Sequence, residues 1–342
     1  MENKIKKAVI LFNLGGPDKL ESVEPFLFNL FNDPQILNVP SIFRYPLAKF
    51  ISKRRAPTAK QIYKEIGNKS PILELTQEQA NSLENSLSPK GNYKCFVVMR
   101  CWHPRAVDVI KKVKEFNPGE IILLPLYPQF SAATSGSSIN EWHDLCKKEN
   151  YKVKTKTICC YPTENSFVES HVKLIKTTLN KIESKNFKLL FSAHGLPEIK
   201  IKKGDPYQWQ VEETVRAIMS KLKSENLDYV ISYQSRVGPL KWIGPSTDTE
   251  IIKYSKEKKG IVIVPVAFVS EHSETLVELD IEYKKLAEDN GCSFYKRVPA
   301  LGIEENFIKG LRGLVLQNET RGNFVSSVRC PSKYEKCPCL DL

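Results

Sequence analysis

The chain has 342 residues, with 51 Lys and Arg against 39 Asp and Glu, a net charge of +12 and a composition that is 41% hydrophobic and 26% charged. This length suggests about two domains and a core large enough to fold without a metal or disulfide staple. The composition excludes a disordered or fibrous chain, and no apolar run approaches the ~18 residues of a spanning helix.

The opening MENKIKKAVILFNLGG sets lysines before an apolar run that is too short for a signal peptide and lacks a cleavage site; it reads as a first strand. Nine cysteines without a secretion signal point to a reducing, cytoplasmic setting rather than a disulfide framework. The lysines are scattered, as in Lys111–Lys112 and Lys284–Lys285, so they read as solvated faces and not as a nucleic-acid track. The rest of the charge excess is assigned to anionic substrates or an acidic membrane surface.

In chain order, short continuous apolar runs predict buried parallel strands at 8–14, 95–102, 121–127, 154–160, 189–193, 229–233 and 261–268. Amphipathic stretches predict helices at 104–116, 137–148, 166–182, 207–223, 247–256 and 272–287. The alternation predicts an α/β protein with right-handed crossovers and helices on both faces of parallel sheets. The rhythm divides into two halves, 1–162 and 163–302, followed by an extension over 303–342. The turn Asn13-Leu14-Gly15-Gly16-Pro17 lacks dinucleotide-binding spacing.

In such folds ligands sit beyond the carboxyl ends of strands. Those ends carry Arg100-Cys101-Trp102-His103, Tyr127-Pro128-Gln129-Phe130, His194-Gly195-Leu196-Pro197, Gln234-Ser235-Arg236 and Phe268 through Glu274. The mixture suits a large flat aromatic ligand with anionic edges and a metal or proton step. A lone strand-end histidine is often structural, but the Gly195–Pro197 turn after His194 favours a site, since histidine is the neutral-pH base and a common metal ligand. Glu274, Glu278 and Glu282 recur every four residues. On spacing alone they read as a solvated acidic face, the functional alternative being a line of hard oxygen ligands for a divalent cation.

Two further segments stand out. Residues 38–55 mix Ile42, Phe43, Tyr45, Phe50 and Ile51 with Arg44, Lys49, Lys53, Arg54 and Arg55. They read as a surface amphipathic helix or as an interfacial lip on anionic lipid. Cys330, Cys337 and Cys339 form a C-x6-C-x-C pattern that could bind zinc, hold an iron–sulfur cluster, or be inert.

Taken together, FNLGGP (12–17), KRRAP (53–57), SPI (70–72), YPQFS (127–131), TSGSS (134–138), FSAHGLP (191–197), GDPY (204–207), QSRVGP (234–239), WIGP (242–245) and SEHSETLVELDIEY (270–283) resemble the ferrochelatases. That family inserts Fe²⁺ into protoporphyrin IX to make protohaem. The resemblance implies two similar Rossmann-like lobes, each a parallel four-stranded sheet flanked by helices, with the porphyrin cleft between them. His194 matches the active-site histidine that accepts pyrrole protons or binds the metal, and Glu274 the carboxylate expected across the macrocycle from it. Glu278 and Glu282 match acidic positions of a distorted helix proposed as a metal or proton route. Arg100 matches a propionate contact, Trp242 and Phe268 match aromatic residues of the site, and Leu14, Tyr127 and Arg55 fall in porphyrin-binding motifs.

Leu14 stands where many relatives have Met and Cys101 where many have Tyr, so metal coordination at those positions is not implied. Many members hold a [2Fe–2S] cluster on a C-terminal extension. The commonest internal ligand position is Ala132 here, and Cys159 and Cys160 are the candidates to join Cys330, Cys337 and Cys339. The resemblance also favours the lip over 38–55 and a peripheral place on the inner-membrane surface. Its alternatives are a chelatase for coproporphyrin or cobalt and a non-catalytic porphyrin carrier.

Overall fold

The structure, a computed structural model, describes residues 5–223, 226–236, 238, 240–317 and 323–340. Val237 and Pro239 of the QSRVGP stretch, and the last two residues of the extension, lie outside the described residues. The chain divides into two compact units, residues 1–160 with 311–326 and 341–342, and residues 161–310 with 327–340.

The first unit is built on β1 (Lys6–Asn13), β2 (Asn92–Met99), β3 (Glu120–Pro125), β4 (Lys154–Cys160) and, from the far end of the chain, β9 (Phe324–Ser326). Every pairing is parallel, in the order β2-β1-β3-β4-β9. Helices α1 (Val23–Phe31), α2 (Ser41–Lys64), α3 (Ile72–Leu87), α4 (Ala106–Phe116) and α5 (Ser137–Lys148) belong to this unit. β1 is a run of Ala8 to Phe12 with every side chain buried, as a central parallel strand covered on both faces requires. Helix α4 buries Ala106, Val109, Ile110 and Val113, one 3.6-residue stripe, against Ile10, Phe12 and Trp142.

The second unit is built on β5 (Phe187–His194), β6 (Tyr229–Gln234), β7 (Gly260–Pro265) and β8 (Tyr295–Arg297), also parallel, in the order β6-β5-β7-β8. Around it run α6 (Asn165–Leu179), α7 (Glu198–Lys202), α8 (Tyr207–Lys221), α9 (Thr247–Lys256), a π-helix (Glu274–Glu282) and α10 (Tyr283–Asp289). Helix α11 (Glu305–Leu316) precedes β9.

The predicted α/β class and parallel sheets are found. Three details differ from the sequence reading. The first sheet has five strands rather than four, because residues placed in the extension supply β9. Strands β8 and β9 are three residues long, too short to register as an apolar run. The helix expected over 272–287 is a π-helix that passes into α10. The strands also stop short of their apolar runs, at Met99, Pro125 and Pro265, and the released residues form the strand-end loops.

Candidate active site

In the second unit His194 closes β5 and Gln234 closes β6, and the two are register partners. Gly195 follows, its N–H donating to the Gln234 carbonyl at 2.9 Å. A Cβ there would stand 2.9 Å from that carbonyl oxygen and 3.2 Å from the Trp242 ring, so only glycine lets the indole lie on the strand end. A bridge between Pro197 and Trp242 fixes the loop that carries the indole.

After β7 the chain enters the π-helix. Its wide turn buries Thr275, Val277 and Leu279 and brings Glu274 and Glu278 to the strand ends. The Glu274 Oε2 lies 2.9 Å from His194 Nδ1. Glu278 accepts from the Ser235 N–H at 3.0 Å, the Ser235 hydroxyl at 2.6 Å, Gln234 Nε2 at 2.9 Å and the Tyr283 hydroxyl at 3.0 Å. The solvated-face reading therefore fails for these two carboxylates, because their partners come from β6 and from Tyr283, which no helical spacing reveals. It holds for Glu282, which is exposed.

At 2.9 Å His194 and Glu274 are hydrogen-bonded partners on one patch of the second unit.

Burial lowers the His194 pKa, but the charge and hydrogen bond of Glu274, and then Glu278, outweigh it and leave the imidazole above its ordinary value. Burial raises Glu274, and His194 more than reverses that, holding the carboxyl below its ordinary range. Glu278 goes the other way. Burial, then the neighbouring Glu274 charge, raise its pKa. Three groups on one patch are thus separated in proton affinity, as acid–base sites require.

Two neighbours join the site that the sequence motifs do not mark as site residues. Tyr207, at the start of α8, is buried, and burial, then the neighbouring Tyr233 and Glu274, push its phenol pKa well up, which ties the GDPY stretch to the site. The His272 ring packs edge-on to Phe268 at 4.8 Å, and burial depresses its pKa. Both stood inside quoted motifs, but nothing in spacing aimed them at His194.

The ferrochelatase family profile matches residues 6–319. The chain belongs to the ferrochelatase family. It is 65% identical over 345 residues to the ferrochelatase of Pelagibacter ubique (strain HTCC1062), covering 98% of this chain and 99% of that one. It is 50% identical to the ferrochelatase of Rickettsia felis over 98% of both chains, and 50% identical to that of Caulobacter vibrioides (strain NA1000 / CB15N) over the same shares. Among solved structures it is similar to SirB from Bacillus subtilis with Fe³⁺, at 13% identity, TM-score 0.53, and 91% and 94% of the two chains, a likeness of fold. The family's activity is that of a porphyrin metal chelatase, a lyase that inserts Fe²⁺ into protoporphyrin in haem synthesis.

The remaining ferrochelatase-motif residues lie in the first unit. Arg100 is held by three carboxylate and hydroxyl partners: Asp33 at 2.9 Å, Glu141 at 3.1 Å and the Ser137 hydroxyl at 2.8 Å. Leu14 packs beside Val23, Phe26 and Cys101. Tyr127 packs against the core over β1 and β3, where burial raises its pKa. Arg55 is exposed on α2, its guanidinium 5.7 Å from the Phe31 ring centre.

The tail thiols of Cys330, Cys337 and Cys339 are all buried in the second unit. Cys337 and Cys339 bring their Sγ atoms within 4.8 Å of each other, and Cys330 Sγ accepts from Gln210 Nε2 at 3.2 Å. The tail docks on the GDPY loop. Lys336 N–H donates to the Gly204 carbonyl at 3.0 Å, and Tyr334 stacks on Trp209 with ring centres 5.7 Å apart. A soft, buried, all-thiol donor set with an amide N–H on one sulfur fits an iron–sulfur cluster.

Cys159 and Cys160 close β4 in the first unit. The register between β4 and β9 slips there, Ile158 opposing Val325 and Cys160 opposing Ser326, so Cys159 is the extra residue of a bulge. Cys160 Sγ lies 3.1 Å from the Ser326 hydroxyl.

Proposed function

We propose that His194 and Glu278 take up the two pyrrole protons released when Fe²⁺ enters protoporphyrin IX, with Glu274 orienting the imidazole. The observation that carries this is the 2.9 Å contact between His194 Nδ1 and Glu274. A carboxylate accepting from Nδ1–H fixes the neutral tautomer and leaves the Nε2 lone pair as the base. The ring is 39% exposed, enough to meet a substrate. When Nε2 takes a pyrrole proton, the new imidazolium is stabilised by Glu274. A second proton must leave as well, and Glu278 has a pKa displaced toward proton uptake. The oxygens of Glu274 suit the incoming Fe²⁺. Trp242 and Phe268 are aromatic surfaces against which a bent ring can be held, and bending exposes the nitrogen lone pairs, which is binding toward the transition state.

Anaerobic insertion of Fe²⁺ into protoporphyrin, measured for wild type, His194→Ala and Glu274→Gln, tests this reading. Loss of turnover is expected in both variants, and undiminished turnover in both overturns it. Coproporphyrin and Co²⁺ as alternative substrates define the specificity.

The lip reading rests on α2. Ile42, Phe43, Tyr45 and Phe50 are each 57–75% exposed, beside exposed Lys49, Lys53, Arg54 and Arg55. An apolar patch this open, with a basic flank, fits anionic lipid. Among the described residues no helix is long and apolar enough to cross a membrane, so the association is peripheral. Liposome flotation tests it, and undiminished binding after neutralising Lys53, Arg54 and Arg55 overturns it.

Cys330, Cys337, Cys339 and one of Cys159 and Cys160 would hold a [2Fe–2S] cluster. Cys159 is favoured, since a bulge re-aims a side chain and Cys160 is engaged by Ser326. When bound, the cluster supplies a one-electron redox centre. Anaerobic purification with visible spectra and iron and sulfide analysis tests this, and colourless protein holding one zinc overturns it.

A further inference from the structure

We propose that Tyr295 and Arg297, on the edge strand β8, are positioning residues that hold Glu274 and Glu278 in register with His194. The inference rests on the roles given to those carboxylates above.

A π-helix is rare and lacks the tight axial packing of an α-helix, so it persists where its surroundings enforce it. A one-residue slip toward α-helical register turns every following side chain by about 100°. Such a slip would take Glu278 away from Ser235 and Gln234. Something must hold the wide turn, and β8 is built to do so.

Residues 295 and 297 point to one face of the strand, and Lys296 between them is exposed. The Tyr295 hydroxyl donates to the Leu279 carbonyl at 2.6 Å, a bond to the backbone of the π-helix itself. Arg297 forks onto Asp280, with Nε to Oδ1 and Nη2 to Oδ2 both at 2.7 Å. Its Nη1 reaches Glu271 at 2.9 and 3.2 Å. Glu271 in turn accepts from the Ala300 N–H at 3.0 Å. One guanidinium therefore ties the chain on both sides of the working carboxylates, at Glu271 before Glu274 and at Asp280 after Glu278. β8 is paired to β7 through Ile261↔Tyr295 and Ile263↔Arg297, and β7 to β5, which ends in His194. The base and the carboxylates thus take their positions from one sheet.

The segment 271–282 carries Glu271, Glu274, Glu278, Asp280 and Glu282. Arg297 matches two of these charges with a geometry lysine cannot copy, since an ammonium has no planar fork. The arrangement predicts that charge alone will not substitute.

The test is steady-state Fe²⁺ insertion by the full chain for Arg297→Lys and Tyr295→Phe, with hydrogen exchange over residues 274–283. Arg297→Lys is expected to lower kcat by about 10²-fold, the cost of an ångström-scale misplacement, and leave KM for protoporphyrin unchanged. Tyr295→Phe, which removes one hydroxyl, is expected to lower kcat by about tenfold, and both variants to exchange faster over the segment. Lys188→Met, which breaks the Lys188–Asp228 pair elsewhere in the same unit, is the control for simple destabilisation and should keep wild-type kcat. Wild-type kcat in Arg297→Lys, or an equal loss in Lys188→Met, overturns the clamp. Glu274→Gln is assayed in parallel. Its inactivity together with an active Arg297→Lys defeats the clamp alone, whereas a fully active Glu274→Gln defeats the carboxylate roles and the clamp with them.

Discussion

Both units gather charge at strand ends, and they use it differently. In the first, Arg100 and Arg105 meet Asp33 and Glu141, two cations against two anions, each within 3.1 Å of a partner. In the second, two carboxylates, Glu274 and Glu278, share one patch with a single imidazole, His194, and Glu278 is displaced toward its neutral form by burial and by Glu274. A charge cluster that is internally balanced is architecture. One left short of positive charge has a raised affinity for protons, as an acid–base site requires.

The difference is sharpest if each cluster is cut in turn. His194→Ala is expected to lower kcat by about 10²–10⁴-fold, the usual worth of a positioned base, and to move the urea midpoint less than the loss of Arg100 does. Arg100→Leu leaves the buried Asp33 without its cation, Glu141 keeping Arg105, and is expected to cost about 3–5 kcal/mol in urea unfolding. A His194 variant that unfolds easily, or an Arg100 variant with undiminished stability, would erase the distinction.

Next in size is Glu278→Gln, which removes the second acceptor while keeping an amide that can bond Ser235. About a 10²-fold fall in kcat is expected, at the low end for a lost acid–base group, with KM for protoporphyrin unchanged. Unchanged kcat would return Glu278 to a structural role.

The pH profile tests the coupling. His194 must be neutral to act as a base, and its pKa stands above the ordinary value, so kcat should rise with pH through an inflection above about 6.5. Glu274→Gln removes the main raising cause and leaves burial, which lowers the pKa, so the inflection should move to lower pH. A shift upward or none contradicts the pairing. The stability sign is separate. The raised His194 pKa contributes stability that is complete below about 6.5 and is lost as pH rises through the folded value. The lowered Glu274 pKa contributes stability that is complete above about 4.3 and is lost as pH falls through its folded value. The pair contributes fully between those limits.

The smallest effect is at the tail. Gly204 has φ of +85°, and a Cβ there would stand 2.9 Å from Glu335 N. Gly204→Ala should loosen the segment beyond Ser327 by about 1–2 kcal/mol, seen as faster proteolysis there.

The strand-end loops were legible because buried parallel strands are continuous apolar runs, and His194, Trp242 and Phe268 follow such runs. The partners were not. Ser235 and Gln234 meet Glu278 from a distant strand, and Asp33 and Glu141 meet Arg100 across long sequence separations, so no local period encodes them. The acidic stripe is not legible because α-helical spacing does not describe it: the backbone widens into a π-helix over Glu274–Glu282. Strand β8, at three residues, is invisible to any pattern.

β9 has a consequence for how the chain is made. The first unit is the first to leave the ribosome, yet its sheet is completed only by Phe324–Ser326 against Thr157–Cys160. Synthesis at about 5–20 residues per second therefore leaves the edge of β4 uncovered until residues 161–310 of the second unit have been translated. The nascent chain must carry an open strand edge through that interval, an aggregation hazard to which chaperones are suited.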